Sequence, residues 1–297
     1  MKINNHIIGG YPPFVIAEIG SNHMGSIDIA KESIDIAKDC GADSVKFQGI
    51  IYNKLYNDSI KFSKQLEFDE SWYGELMDYC GNDIIFSVSP TYLELIDLLE
   101  ELNISYYKIA SPQTYAFPQL IAKIAKTNKP IIMSTGYCTA SEIKRAINII
   151  EKERQFDANL ALLHCISEYP LNPNNANLLY IKTMKDLWGY PVGFSDHSKD
   201  IYLSLIATCL GADIIEKHLI SDITYISPDS PVSINPEQFK TLINLIKSYE
   251  KYLGDGIKYT VSDSELALRE TLTMYSSDKF NFKRDIIGKN AWDWYSD

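Results

Sequence analysis

The sequence predicts an α/β protein folded as one (β/α)8 barrel, a TIM barrel, and three observations predict it. Short runs rich in Val, Ile and aromatic residues alternate eight times with longer segments of helical period, the pattern of βα units on a parallel sheet. Five of those runs carry a polar group at or near their ends: FVIAEIG has Glu18, DSVKFQ has Lys46 and Gln48, SYYKIAS has Lys108 and Ser111, VGFSDHS has His197, and DIIEKHL has His218. In a closed parallel barrel the strand interiors fill the core while their carboxyl ends converge on one opening, so these endings mark a candidate catalytic mouth. Finally, 297 residues at 45% hydrophobic content suffice for one large α/β domain, and a barrel uses nearly all of them.

The first strand is read at 14–20, and the helix after it places Ile27, Ala30, Ile34 and Ala37 on one face before stopping at Gly41. DSVKFQ is the second strand. A polar, Tyr- and Lys-bearing stretch at 52–70 then reads as a long βα loop ahead of a helix at 72–80. Strands three to eight are expected at 84–89, 106–111, 130–136, 161–165, 192–195 and 213–219. CGAD after the first helix and LGAD before the eighth strand mark matching helix stops at Gly41 and Gly211. The predicted organisation is a cap or small hairpin under the barrel at 1–13, the barrel at 14–253, and a polar tail at 254–297 with no ninth unit.

A formal charge of −11 argues against nucleic acid as a partner, which would need clustered Lys and Arg. Small anions are still allowed, because a few buried lysines make a local positive pocket. No segment reaches the roughly 18 apolar residues of a membrane span. The five cysteines are odd in number and scattered through apolar patterns, which predicts reduced thiols and a cytoplasmic setting. Lys46 and Lys108 on central strands ask for a bound anion or for internal carboxylates such as Glu18, Glu216 or Asp196.

In this frame the strings AEIGSNHMG, GADSVKFQ, YKIAS, PIIMSTG, LLHCISEYP, GFSDHS and EKH followed by PD occur in order across residues 14–253. The set resembles the phosphoenolpyruvate-dependent sialic acid synthases, which make nonulosonic acids such as N-acetylneuraminic, legionaminic and pseudaminic acid. The resemblance implies a carbon–carbon bond-forming transferase. The methylene carbon of phosphoenolpyruvate attacks the aldehyde of an open-chain aldose, N-acetylmannosamine or a related N-acylated hexose, water adds at the second carbon, and phosphate leaves by carbon–oxygen cleavage.

By the same resemblance, His197 and His218 would hold a divalent metal, Mn²⁺ in preference to Mg²⁺ or Co²⁺, because two imidazoles with open oxygen positions do not make a closed structural Zn²⁺ site. Lys46 and Lys108 would hold the carboxylate and phosphate of phosphoenolpyruvate, with Ser89, Ser111, Ser134, Ser167 and Ser195 as donors. Glu18 and Asp196 are the acidic candidates for steering water, although Asp196 also suits a role behind His197. Gln48, Tyr169 and Asp229 match positions that contact the sugar acceptor, although Asp229 in YISPDSPVS also suits a turn. His23 and His164 are assigned to organising the mouth or core.

Two departures stand out. Where the family reads Gly-Glu after the fourth-strand serine, this chain has Pro112 and Gln113, an amide that cannot act as a base. The tail at 254–297 is too short, and lacks the Pro and Gly pattern, for the family's C-terminal antifreeze-like domain. The acceptor's far end is therefore expected to meet Trp72, Tyr73 and the long loop, or a separate partner protein, and a homodimer is left open. The alternatives are a lyase or aldolase using a Schiff-base lysine, and a noncatalytic or altered-specificity sugar-acid-binding barrel derived from such a synthase.

Overall fold

The computed structural model describes residues 1–51, 67–155, 159–254, 256 and 261–268. The chain opens with an antiparallel hairpin of β1 (Lys2–Ile3) and β2 (His6–Ile7). Eight parallel strands follow: β3 (Phe14–Gly20), β4 (Ser44–Gly49), β5 (Ile85–Pro90), β6 (Tyr107–Ile109), β7 (Ile131–Ser134), β8 (Leu160–Cys165), β9 (Val192–Asp196) and β10 (Ile214–His218). They lie in the order β5-β4-β3-β10-β9-β8-β7-β6. The terminal strands of that order, β5 and β6, lie beside each other and bring the sheet round to a nearly closed barrel. The (β/α)8 fold class read from alternation is the observed one. Ser111 differs from its expected place: the chain turns at Ala110, and Ser111 opens the short helix Ser111–Ala116. Most of the loop expected at 52–70 and most of the tail lie outside the described residues.

The period-2 alternation of each strand divides the core in two. Val15, Ala17, Ile19, Val45, Phe47, Leu162 and Phe194 face the surrounding helices in a large apolar layer. Phe14, Ile16, Tyr106, Ile132, Ala161, Leu163 and Ile214 form a second cluster, joined by Ile3 and Ile8 from the hairpin and the turn after it. The barrel interior at its amino end is therefore packed shut with hydrocarbon.

The repeated GAD string has one mechanical meaning at both of its sites. Gly41 and Gly211 take left-handed backbone angles, φ 85° and 88°, and turn the chain out of a helix. The aspartate that follows then binds the start of the preceding strand: Asp43 accepts from the Val15 amide at 2.7 Å, and Asp213 accepts from the Val192 amide at 2.7 Å.

The chain divides into two compact units, 1–249 and 250–297, with the whole barrel in the first. In the second, the described residues include the short helix Glu250–Leu253. No helix among the described residues is long and apolar enough to cross a membrane.

Candidate active site

Above the apolar plug, the inward positions of the same strands turn polar and line a cavity of about 340 Å³ at the carboxyl end of the barrel. Glu18, Lys46, Gln48, Ser89, Lys108, Ser111, Gln113, Ser134, Ser167, Tyr169, Ser195, His197 and His218 all reach it, together with Glu216, Cys165 and Tyr137. Gly136 lets two of the serines converge, because a side chain there would collide with the hydroxyls of Ser167 and Ser111.

Four charges form the floor. Lys46 Nζ lies 2.6 Å from Glu18 Oε2 and 3.7 Å from Glu216 Oε2, and Lys108 Nζ lies 3.2 Å from Glu216 Oε1. All four side chains are at most 5% exposed, so their charges act on one another through little solvent. Burial works against the Glu216 carboxylate, but Lys108 and Lys46 hold its pKa down to about 2. Burial raises the Glu18 carboxyl above its ordinary range, with Lys46 pulling the other way and Glu216 adding to the rise. Lys46 resists burial through its two carboxylate neighbours and sits above its ordinary value, whereas burial takes Lys108 below its own despite Glu216.

Hydroxyls complete the cluster. Lys46 donates to Ser89 Oγ at 3.2 Å, Lys108 to Ser134 Oγ at 2.7 Å, and Ser195 Oγ to Glu216 at 2.8 Å. Gln48 donates to Glu18 at 3.0 Å.

His197 and His218 stand on one side of this floor with ring centroids 5.6 Å apart. His197 Nδ1 donates to the Ile166 carbonyl at 2.9 Å, which leaves Nε2 as an acceptor, and the Tyr169 hydroxyl donates to it at 2.9 Å. His218 Nδ1 is buried with no hydrogen-bond partner, and burial lowers the ring's pKa to about 4. Burial opposes charge on the His197 ring, but Cys165, the Ile166 carbonyl and Glu216 raise its pKa above the ordinary value. Two imidazoles facing one cavity, one with an orphaned nitrogen, fit a divalent cation, which would compete with the proton on His197. No group of three His, Cys, Asp or Glu suited to a metal occurs among the described residues, so the other positions would go to water or substrate oxygens.

The chain matches the NeuB family over residues 33–258. The chain belongs to that family. It is 38% identical over 262 residues to the N,N'-diacetyllegionaminic acid synthase of Campylobacter jejuni, covering 82% of this chain and 78% of that protein. It is 35% identical over 266 residues to the pseudaminic acid synthase of Helicobacter pylori, covering 82% and 76%. The crystal structure of the N-acetylneuraminic acid synthetase of Leptospira borgpetersenii serovar Hardjo-bovis, in complex with citrate, superposes with a TM-score of 0.82 at 32% identity, over 91% of this chain and 95% of that one. As a NeuB-family enzyme the chain is a carbon–carbon bond-forming transferase that uses phosphoenolpyruvate.

Within this NeuB-family mouth, two of the residues expected there do not line the cavity, although Asp229 lies near enough to His218 to raise its pKa against the effect of burial. Asp196 points from the outer face of β9, where its carboxylate meets Lys217 Nζ at 3.4 Å and accepts from Ser204 Oγ at 2.6 Å, so it is not an acid of the mouth. The reason is alternation: Ser195 and His197 face inward, and the residue between them must face out. Asp229 does not line the cavity; its Oδ2 accepts from the Ser21 amide and hydroxyl, both at 2.7 Å. That approach requires Gly20, whose φ is +54° and whose place a side chain would contest with the Asp229 carboxylate. The Asp229 side chain ties its loop to the end of β3, 208 residues away, and caps no turn of its own segment.

Tyr73 is fully buried against Phe68, with ring centroids 4.7 Å apart, and cannot read an acceptor. His23 and His164 stay out of the mouth. His23 packs edge-on to Phe68 and Trp72, and His164 Nε2 donates to the Ala176 carbonyl at 2.8 Å. Sequence reasoning passes over Glu216 as a site residue. It stands two positions before His218 on one strand, so the period-2 rule already puts both on the same face.

Proposed function

We propose that this chain condenses phosphoenolpyruvate with the open-chain aldehyde of an N-acylated hexosamine, N-acetylmannosamine or a relative, giving a 3-deoxy-2-keto nonulosonic acid and inorganic phosphate. The observation that carries the reading is the pair of buried ammonium groups, Lys46 and Lys108, held at the floor of the mouth by Glu18 and Glu216. Two lysines in so little solvent are a ready site for a carboxylate and a phosphate; the hydroxyls of Ser89 and Ser134 bond them, and those of Ser111 and Ser195 line the same cavity.

In this reading Glu18 takes a proton from the water that adds at the second carbon; support comes from burial, which raises its carboxyl above the ordinary range. Glu216, held anionic, keeps both lysines aimed inward. A divalent cation on His197 and His218, Mn²⁺ by preference over Mg²⁺ or Co²⁺, would polarise the acceptor aldehyde. Tyr169, stacked on His197 at 4.1 Å between ring centroids, forms the wall against which the aldehyde end would lie. Gln113 reaches the cavity, so the acceptor meets a neutral amide there.

The test is phosphate release from phosphoenolpyruvate with Mn²⁺ and a panel of aldoses that includes N-acetylmannosamine and doubly acylated hexoses. Release that depends on the aldose, and that a His197→Ala/His218→Ala variant loses, is the expected result. Silence across the whole panel would sink the reading in favour of a sugar-acid-binding barrel.

A further inference from the structure

The two strands that carry His197 and His218 are joined on both faces. In the parallel register of β9 and β10, Ser195 stands opposite Glu216 and Asp196 opposite Lys217. Ser195 and Glu216 bond inside the barrel at 2.8 Å, whereas Asp196 and Lys217 pair outside it at 3.4 Å with both side chains 0% exposed. Much of the outer face is hydrocarbon, as at Val45, Phe47, Leu162 and Phe194, with His164 beside Phe194, bonded to the Ala176 carbonyl, as an exception.

This outer pair grips the chain around one histidine. Lys217 donates to the carbonyl of Ser198 and, at 3.3 Å, to its hydroxyl, while Asp196 accepts from the Ser198 amide at 2.7 Å and from Ser204 Oγ at 2.6 Å. The residues on either side of His197 are thus held by the residue that precedes His218. His197 is held by hydrogen bonds to Ile166 and Tyr169, whereas the His218 ring packs on Tyr169 and His197 with no hydrogen bond at Nδ1, so its backbone carries more of its aim.

An ion pair this dry is a poor way to gain stability. Apolar side chains of similar volume at such sites are commonly as stable or more so, so what these charges add is the set of bonds that fixes Ser198 and Ser204 around His197. We propose that Asp196 and Lys217 are positioning residues, whose buried pair locks the ends of β9 and β10 together and so sets the separation and aim of His197 and His218. The proposal rests on the reading of those two imidazoles as one site.

The experiment replaces the pair by hydrocarbon, Asp196→Leu with Lys217→Met, and reads the metal-free protein first. The variant is expected to fold but to melt lower than the parent, because the Ser198 and Ser204 groups lose their partners, with the imidazole carbon–proton NMR signals of His197 and His218 shifted and those of His23 and His164 in place. Mn²⁺ affinity, followed by the electron paramagnetic resonance of the free ion, is expected to fall about 10- to 100-fold, the usual cost of losing support behind a metal ligand. Parental imidazole signals together with parental Mn²⁺ affinity would overturn the proposal. If the parent itself binds no Mn²⁺, the metal reading of the histidines fails, and the imidazole signals alone decide whether the pair positions them. Should the double variant not fold, Asp196→Asn takes its place, and the imidazole signals and Mn²⁺ affinity decide in the same way.

Discussion

The lower and upper halves of the barrel interior come from the same strands and obey opposite rules. Below, Phe14, Ile16, Ile132, Leu163 and Ile214 pack as hydrocarbon, with Ile3 and Ile8 closing them in. One pleat higher, Glu18, Lys46, Lys108 and Glu216 stand equally buried but charged. The plug is stable without help, whereas the floor of the mouth holds only because each charge has a partner, at 2.6 Å for Lys46 with Glu18 and 3.2 Å for Lys108 with Glu216. One end of the barrel is therefore built for cohesion and the other for an anion, and substitutions in the two halves should fail in different ways.

The largest effect is expected from Lys46→Met, which leaves Glu18 without its cation and Glu216 with Lys108 alone. Phosphate release should fall by about a hundred- to a thousandfold, and urea unfolding should show a loss of roughly 3–5 kcal/mol. A variant that kept its stability would mean that solvent reaches the floor and that the charges are less interdependent than their geometry implies.

Ile16→Ala, in the plug, sharpens the contrast. It should cost about 3 kcal/mol of stability through the cavity it leaves, while the KM for phosphoenolpyruvate stays within about twofold, since the Ile16 side chain does not line the cavity although its backbone stands opposite Glu216. A large rise in KM at full folding would show that the plug and the mouth are coupled.

The effect that is smallest near neutral pH concerns a polar group that belongs to neither half. Burial lowers the pKa of His23 from 6.5 to about 4, with Asp229 opposing. The folded value lies below the unfolded one, so as pH falls through 6.5 the unfolded chain takes the proton first and stability drops until about pH 4. That contribution amounts to roughly 3 kcal/mol at its limit. Chemical denaturation of the parent and of His23→Gln between about pH 7 and 4 should show the slope reduced in the variant; parallel curves would assign the acid sensitivity elsewhere.

Much of the mouth is legible in the sequence because barrel strands end where chemistry begins. Lys46, Lys108, His197 and His218 each stand out as polar residues closing apolar runs, and all four reach one cavity. The failures share a cause. GFSDHS sets Asp196 beside His197, yet adjacency on a strand sends side chains to opposite faces. Glu216 is easily passed over because it lies inside the run DIIEKHL, although its spacing of two from His218 carries the signal. Asp229 cannot be placed at all from its own neighbourhood, since its partner Ser21 is 208 residues away.

The sequence by itself determined the fold class, the order of the eight strands and the identity of the residues that close them, because hydrophobic period and turn chemistry act over a few neighbouring residues. Only the tertiary structure decided which charges meet: Lys46 with Glu18, Lys108 with Glu216, and Lys217 with Asp196 on the far side of the sheet. Those pairings depend on the register between strands and on the closing of the barrel, and both are set by the packing of the whole core at once.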